Sequence, residues 1–197
     1  KQLVSQPNSS LMGNLLTDSA ADYVPDADLI VTAEAVAAGL DHLAGDLQPL
    51  IVRDECILLG VAMGGLYPLM QLATRLHGDF LLDYCHATRY DGATVGQELR
   101  WIQAPRSEFA KRTVIVIDDI LDEGITLEAI RQRCTELGAR QVYTAVLAIK
   151  DLPDAANRKR PDYSSGIYVP NRYVFGCGMD LHERWRHLDA IYALRDD

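Results

Sequence analysis

Thr113-Val114-Ile115-Val116-Ile117 is an unbroken β-branched run that is left through two acids, Asp118 and Asp119. A strand with no polar alternation buries both of its faces, which is the situation of an interior strand in a parallel sheet. Parallel strands cannot be joined by a hairpin and need a crossover, usually a helix. The chain supplies one. Thr126 to Leu137 has a helical pattern closed by Gly138, and Gln141 to Ile149 is the next strand. Strand, helix and strand within ~35 residues make a right-handed βαβ unit.

The remaining pattern repeats that unit and predicts an α/β fold with a central, mostly parallel sheet flanked by helices. Residues 1 to 27 read as an irregular lead-in. A helix is expected over Ala33 to Leu47, where Val36, Leu40, Leu43 and Leu47 share a face. Cys56 to Val61 is a second buried strand, broken by Met63-Gly64-Gly65 before a helix over Leu66 to Leu76. Phe80 to Ala87 and Leu99 to Ala104 read as strands on either side of a loop at Tyr90 to Gly96. A length of 197 residues fits a single domain over 1–197.

Charge and cysteine content narrow the chemistry. The formal net charge is −9, so the overall field repels a polyanion such as a nucleic acid. No apolar run is long enough to span a bilayer, and no basic, then apolar, leader opens the chain. The four cysteines are widely spaced with no C-x-x-C pair, which points to free thiols in a reducing compartment rather than structural zinc.

The segment Val114 to Thr126 carries the functional argument. In open α/β sheets the ligand crevice lies beyond the carboxyl ends of the strands, where Asp118 and Asp119 fall. Adjacent like charges at a buried strand end are costly, and they make sense if they meet hydroxyl donors or a divalent cation. Gly124 lets the backbone approach an anion, and the amides opening the next helix, with the Thr126 hydroxyl, can hold a phosphate. One short stretch thus offers carboxylates to a sugar and amides to its phosphate.

Ile117-Asp118-Asp119-Ile120-Leu121-Asp122-Glu123-Gly124-Ile125-Thr126 resembles the phosphoribosyl pyrophosphate (PRPP) motif of type I phosphoribosyltransferases. The similarity extends to the hypoxanthine-guanine branch and covers roughly residues 30 to 194. It implies a core over about 30–170, with N- and C-terminal segments forming a small hood in which 171–197 helps bind the purine. It also implies that Asp118 and Asp119 hold the ribose hydroxyls. Asp122 is then the base near purine N7, and the amides of Asp122, Glu123, Gly124, Ile125 and Thr126 hold the 5′-phosphate. Met63, Gly64 and Gly65 fall at the pyrophosphate loop, although many relatives carry Lys where Met63 stands. Arg89-Tyr90 falls at the flexible loop, where Ser-Tyr is common.

The same resemblance makes Lys150 the donor to the purine 6-oxo group, Tyr173 the ring that stacks on the base and Val174 a main-chain contact to its edge. Asp180 and Asp118 become magnesium ligands, and Arg186 a pyrophosphate ligand. Mg2+ is the implied cofactor, and the implied partners are PRPP, a 6-oxopurine and further copies of the chain in a dimer or tetramer. The activity implied is cytoplasmic purine salvage, transferring 5-phosphoribosyl to N9 of hypoxanthine or guanine. Alternatives are a relative that prefers xanthine or a pyrimidine, and an RNA-binding, nucleotide-sensing regulator on the same fold. A dinucleotide-binding fold lacks its Gly-x-Gly-x-x-Gly signature here.

Overall fold

A computed structural model describes residues 26–53, 55–89, 99–153 and 158–195. In chain order its first elements are β1 (Ala27–Val31), α1 (Ala33–Arg53), β2 (Cys56–Val61), α2 (Leu66–Ala73), β3 (Phe80–Arg89) and β4 (Leu99–Gln103). They are followed by β5 (Thr113–Leu121), α3 (Ile125–Glu136), β6 (Gln141–Lys150), β7 (Tyr163–Val169), β8 (Val174–Phe175) and β9 (Ile191–Leu194).

The strand Thr113–Leu121 does lie inside a sheet. β5 pairs in parallel with β2 on one side and β6 on the other. β3 and β7 extend the parallel ladder, and β4 closes one edge antiparallel to β3, giving six strands in the order β4-β3-β2-β5-β6-β7. Side chains alternate between faces, and both faces are covered. Ile57, Leu59, Val114 and Val116 pack with Ile130 and Cys134 of α3. Leu58, Ile115, Ile117 and Leu147 pack with Val36, Leu40, Leu43 and Leu47 of α1 and with Leu69 and Leu72 of α2. Each fully buried aliphatic side chain contributes about 1.5–3 kcal/mol, so the two faces together dominate the stability.

The hood is a separate three-stranded antiparallel sheet of order β1-β9-β8. It joins the two ends of the described chain, with Ala27 opposite Leu194 and Val174 opposite Ala193. Phe175 and Tyr192 stack inside it at 5.6 Å. Asp28 accepts hydrogen bonds from Arg172 at 2.9 Å and Arg195 at 2.8 Å, which closes the seam.

Several boundaries differ from the sequence reading. α1 runs past Leu47 and through Pro49 to Arg53, because Ile51 is buried on the same face. α2 stops at Ala73, and Leu76 is buried from the turn that follows. β4 ends at Gln103 and β3 continues to Arg89. β1 and β7 are strands that no clear alternation marks in the sequence. All four cysteines are buried, and none is in a disulfide. No described helix is long and apolar enough to cross a membrane.

Candidate active site

β5 does not stop at its acids, as the sequence pattern predicts. The ladder with β6 continues through Asp118, Ile120 and Leu121, which pair with Val146, Ala148 and Ile149. β6 is long enough to keep the partner strand extended, so both acids lie within the sheet, near its carboxyl edge. The Asp119 N–H donates to Asp118 Oδ1 at 3.0 Å, and the Ile120 N–H donates to Asp119 Oδ1 at 2.8 Å. Both side chains are half-buried by surface exposure but crowded by protein atoms. That crowding pushes both carboxyls upward. Asp118 is raised furthest, because the charge of Asp119 adds to the loss of hydration. Asp119 is raised less, since a hydrogen bond from Asp118, the Ile120 amide and the charge of Arg186 all favour its ionised form. Of the pair, Asp118 is therefore the weaker acid and Asp119 the stronger.

The turn that follows is made by Gly124, which caps α3 in the left-handed region at φ 78°. Only glycine adopts that conformation without strain. A side-chain carbon there would also sit 3.1 Å from the carbonyl oxygen of Lys159. α3 starts at Ile125, one residue before the expected Thr126, so Thr126 lies within the first turn. The amides of that turn have no carbonyl four residues back in the helix and point outward, with the helix dipole behind them. A recess of about 100 Å³ lies between Asp118 and the stretch Asp122 to Thr126. The sequence-predicted phosphate residues Glu123, Gly124, Ile125 and Thr126 all border it.

Met63, Gly64 and Gly65 form the turn from β2 into α2, entered through a cis Ala62–Met63 peptide. The Ala62 and Gly65 amides are spent on Cys85 O at 2.7 Å and Val61 O at 2.8 Å. Gly64 has no room for a side chain: a Cβ would lie 1.8 Å from Asp119 Oδ2. The backbone of Gly178 presses on the same loop, and a Cβ on it would stand 2.1 Å from Gly64 O. The glycine turn, the strand-end acid and the hood meet at one point. Met63 is 54% exposed and places no cation in the loop.

A second recess, of about 180 Å³, is bordered by Asp119, Asp122, Lys150, Tyr173, Val174 and Asp180. Lys150 Nζ is 3.4 Å from Asp122 Oδ2. The Lys150 side chain is 17% exposed and that of Asp122 56%, so the lysine reaches the recess from within the sheet and the acid from its rim. Tyr173 is half-exposed at the mouth. The Val174 side chain is buried in β8, leaving its main chain for the recess. Arg186 Nη2 pairs with Asp180 Oδ1 at 2.7 Å, and its Nη1 donates to Gly178 O at 2.7 Å. Asp180 Oδ2 accepts the Glu183 N–H at 2.8 Å.

The two expected metal carboxylates are thus parted. Asp180 borders the recess with Asp119, whereas Asp118 borders the phosphate side. Among the described residues no three of His, Cys, Asp and Glu gather to hold a metal alone. The Arg89 backbone ends β3 opposite Leu99, and Tyr90 lies outside the described residues with the loop to Gly96. One residue escaped the sequence reading altogether. Arg158 donates to the carbonyls of both Asp122 and Lys150. The only hint of it was the basic run Arg158-Lys159-Arg160.

Residues 26–182 match the model of the phosphoribosyl transferase domain. A hypoxanthine-guanine phosphoribosyltransferase of Staphylococcus aureus (strain Mu50) is 26% identical over 174 residues, covering 86% of this chain and 94% of that one. The enzyme of the same name from Lactococcus lactis subsp. lactis is 26% identical over 143 residues, covering 72% and 76%. Among solved structures, a hypoxanthine phosphoribosyltransferase of Staphylococcus aureus superposes with a TM-score of 0.80 at 22% identity, over 91% of this chain and 96% of that one. The fold is the same, and with a domain match over most of its length the chain belongs to the phosphoribosyl transferase family.

Proposed function

We propose that the protein transfers a 5-phosphoribosyl group from PRPP to N9 of hypoxanthine or guanine, releasing pyrophosphate. The observation that carries this reading is the pairing of Lys150 with Asp122 at 3.4 Å. In a 6-oxopurine the O6 and N7 atoms lie side by side on one edge. An ammonium and a carboxylate in contact are complementary to an acceptor next to an N–H. Lys150 donates to O6, which adenine replaces with an amino group that cannot accept. Asp122 accepts the N7 proton as N9 attacks the sugar. Tyr173 covers the flat face of the base, and the hood built by β1, β8 and β9 carries it.

The 5′-phosphate fits the recess at Glu123 to Thr126, where a helix start favours an anion. Asp118 and Asp119 face the ribose hydroxyls, with Asp118, the weaker acid, better suited to donate and Asp119 to accept. Pyrophosphate is held by the Met63 and Gly64 amides and by Arg186, whose planar fork suits phosphate oxygens. The oxygen-only donor set at Asp119 and Asp180 suits a hard cation bound through one or two carboxylates and the substrate phosphates. Asp119 and Asp180 would hold such an ion, and magnesium there would supply charge neutralisation for pyrophosphate. Asp118, on the other side of the strand end, is the less suited of the two acids. By the family resemblance, Arg89 and Tyr90 belong to the segment that covers the donor and excludes water, and Tyr90 lies outside the described residues.

The reading includes a single catalytic domain, a cytoplasmic setting and assembly into a homodimer or homotetramer. The test is a steady-state assay of pyrophosphate release with hypoxanthine, guanine, xanthine and adenine, each with PRPP and magnesium. Turnover with hypoxanthine or guanine at least about tenfold above adenine is expected. Turnover confined to xanthine or to a pyrimidine, or tight RNA binding without turnover, refutes it.

A further inference from the structure

Lys150 ends β6, and Asp122 stands in the turn after β5, so their spacing depends on how two separate elements are tied. Arg158 ties them. Its Nη1 donates to the carbonyl oxygen of Asp122 at 3.0 Å and to that of Lys150 at 2.7 Å. A terminal guanidinium nitrogen carries two hydrogens, and here each has its own carbonyl. Both are charge-assisted bonds, the stronger class. The neighbouring residue reinforces the contact. Lys159 Nζ is 3.5 Å from Glu128 Oε1 in the first turn of α3, and Lys159 O closes on Gly124.

The geometry points to Arg158 as a positioning residue that sets the gap between Asp122 and Lys150, and through it the fit of the purine O6–N7 edge. The inference rests on the purine-transfer reading for its functional meaning. Arg158 does not border the recess beneath Tyr173. It borders a different one, of about 290 Å³, with Asp151, Arg160 and Tyr168. It therefore acts through the main chain rather than by touching the base. Main-chain placement matters because an error near 1 Å in a reacting pair costs about a hundredfold in rate.

The test compares R158M and R158K with the unaltered full chain. Methionine keeps the length and loses both bonds. Lysine retains an ammonium able to serve two carbonyls. R158M should lose about 100-fold in kcat/KM for hypoxanthine while KM for PRPP stays within about threefold, and R158K should recover at least about tenfold of the loss. Amide hydrogen exchange should quicken in R158M at residues 122–126 and stay unchanged in β2. Hypoxanthine kcat/KM within about twofold of the unaltered chain overturns the inference, as do equal losses in R158M and R158K. If the unaltered protein turns over no purine, the substrate reading fails by itself. The exchange rates then decide, and unchanged exchange at 122–126 in R158M overturns the tie.

Discussion

The Lys150 ammonium at the end of β6 and the Asp122 carboxylate in the turn after β5 lie 3.4 Å apart and border one recess with Tyr173. Neither is near the other in sequence, and the βαβ crossover is what brings them together. An acid and a cation so placed recognise neighbouring atoms of a ligand with opposite hydrogen-bonding character.

Replacing Asp122 with Asn keeps the shape and removes the proton acceptor. D122N should lower kcat by about 100-fold, within the usual range for a lost general base, and leave PRPP binding within about twofold. Pyrophosphate-release kinetics with a parallel PRPP titration measure both. Full turnover in D122N excludes this residue as the base.

Lys150→Ala removes the proposed donor to the 6-oxo group and would leave an unpaired acceptor on the substrate. A site built to hydrogen-bond a substrate group loses about 1.5–3 kcal/mol when a charged donor is deleted. Hypoxanthine kcat/KM should therefore fall about 10- to 100-fold, with adenine barely changed. A substrate panel with both bases reads the ratio directly, and an unaltered ratio rejects the specificity argument.

The raised carboxyls make the site a source of pH-dependent instability. The native state holds the Asp118 proton more tightly than the unfolded chain does, because the folded carboxyl is raised by burial and by the charge of Asp119. Stability is then full below the ordinary carboxylate range and declines as pH rises from that range through the raised value. D118N, neutral at every pH, should melt about 2–4 °C higher than the unaltered chain near pH 8, the response of a chain this size to 1 kcal/mol. The advantage should shrink toward pH 4. Melting curves across that range test the sign, and a lower melting point for D118N at pH 8 reverses it.

Met63 offers an independent probe of the glycine turn. Its side chain is largely exposed beside Gly64, so lysine fits without repacking. M63K adds a cation next to the proposed leaving-group site and should tighten product pyrophosphate binding by about 5- to 10-fold, the effect of roughly 1 kcal/mol. Product-inhibition kinetics supply the measurement. An unchanged inhibition constant places pyrophosphate elsewhere.

Much of this arrangement is legible in the chain. Thr113 to Ile117 could be nothing but an interior strand, and its position fixed where the crevice would open. The turn itself was legible because Gly124 and Thr126 are local features of one loop, and Gly124 does cap the helix that follows. Other relationships were hidden for physical reasons. β5 outruns its apolar stretch because β6 pairs with it through Leu121, and partner length is not written in the strand itself. The division of Asp119 and Asp118 between two recesses depends on local packing at the sheet edge. Arg158 acts on carbonyl groups, which every residue has, so no side-chain pattern can announce its partners.

The contact between Asp119 and Gly64 leaves no slack between two stations of the reaction. The acid proposed to face the sugar rests on the turn proposed for pyrophosphate, and Gly178 of the hood leans on that same turn. A side chain added at either glycine would collide with a neighbour in the junction, so a spot too crowded for a single methyl group holds the strand end, the glycine turn and the cap in one fixed arrangement.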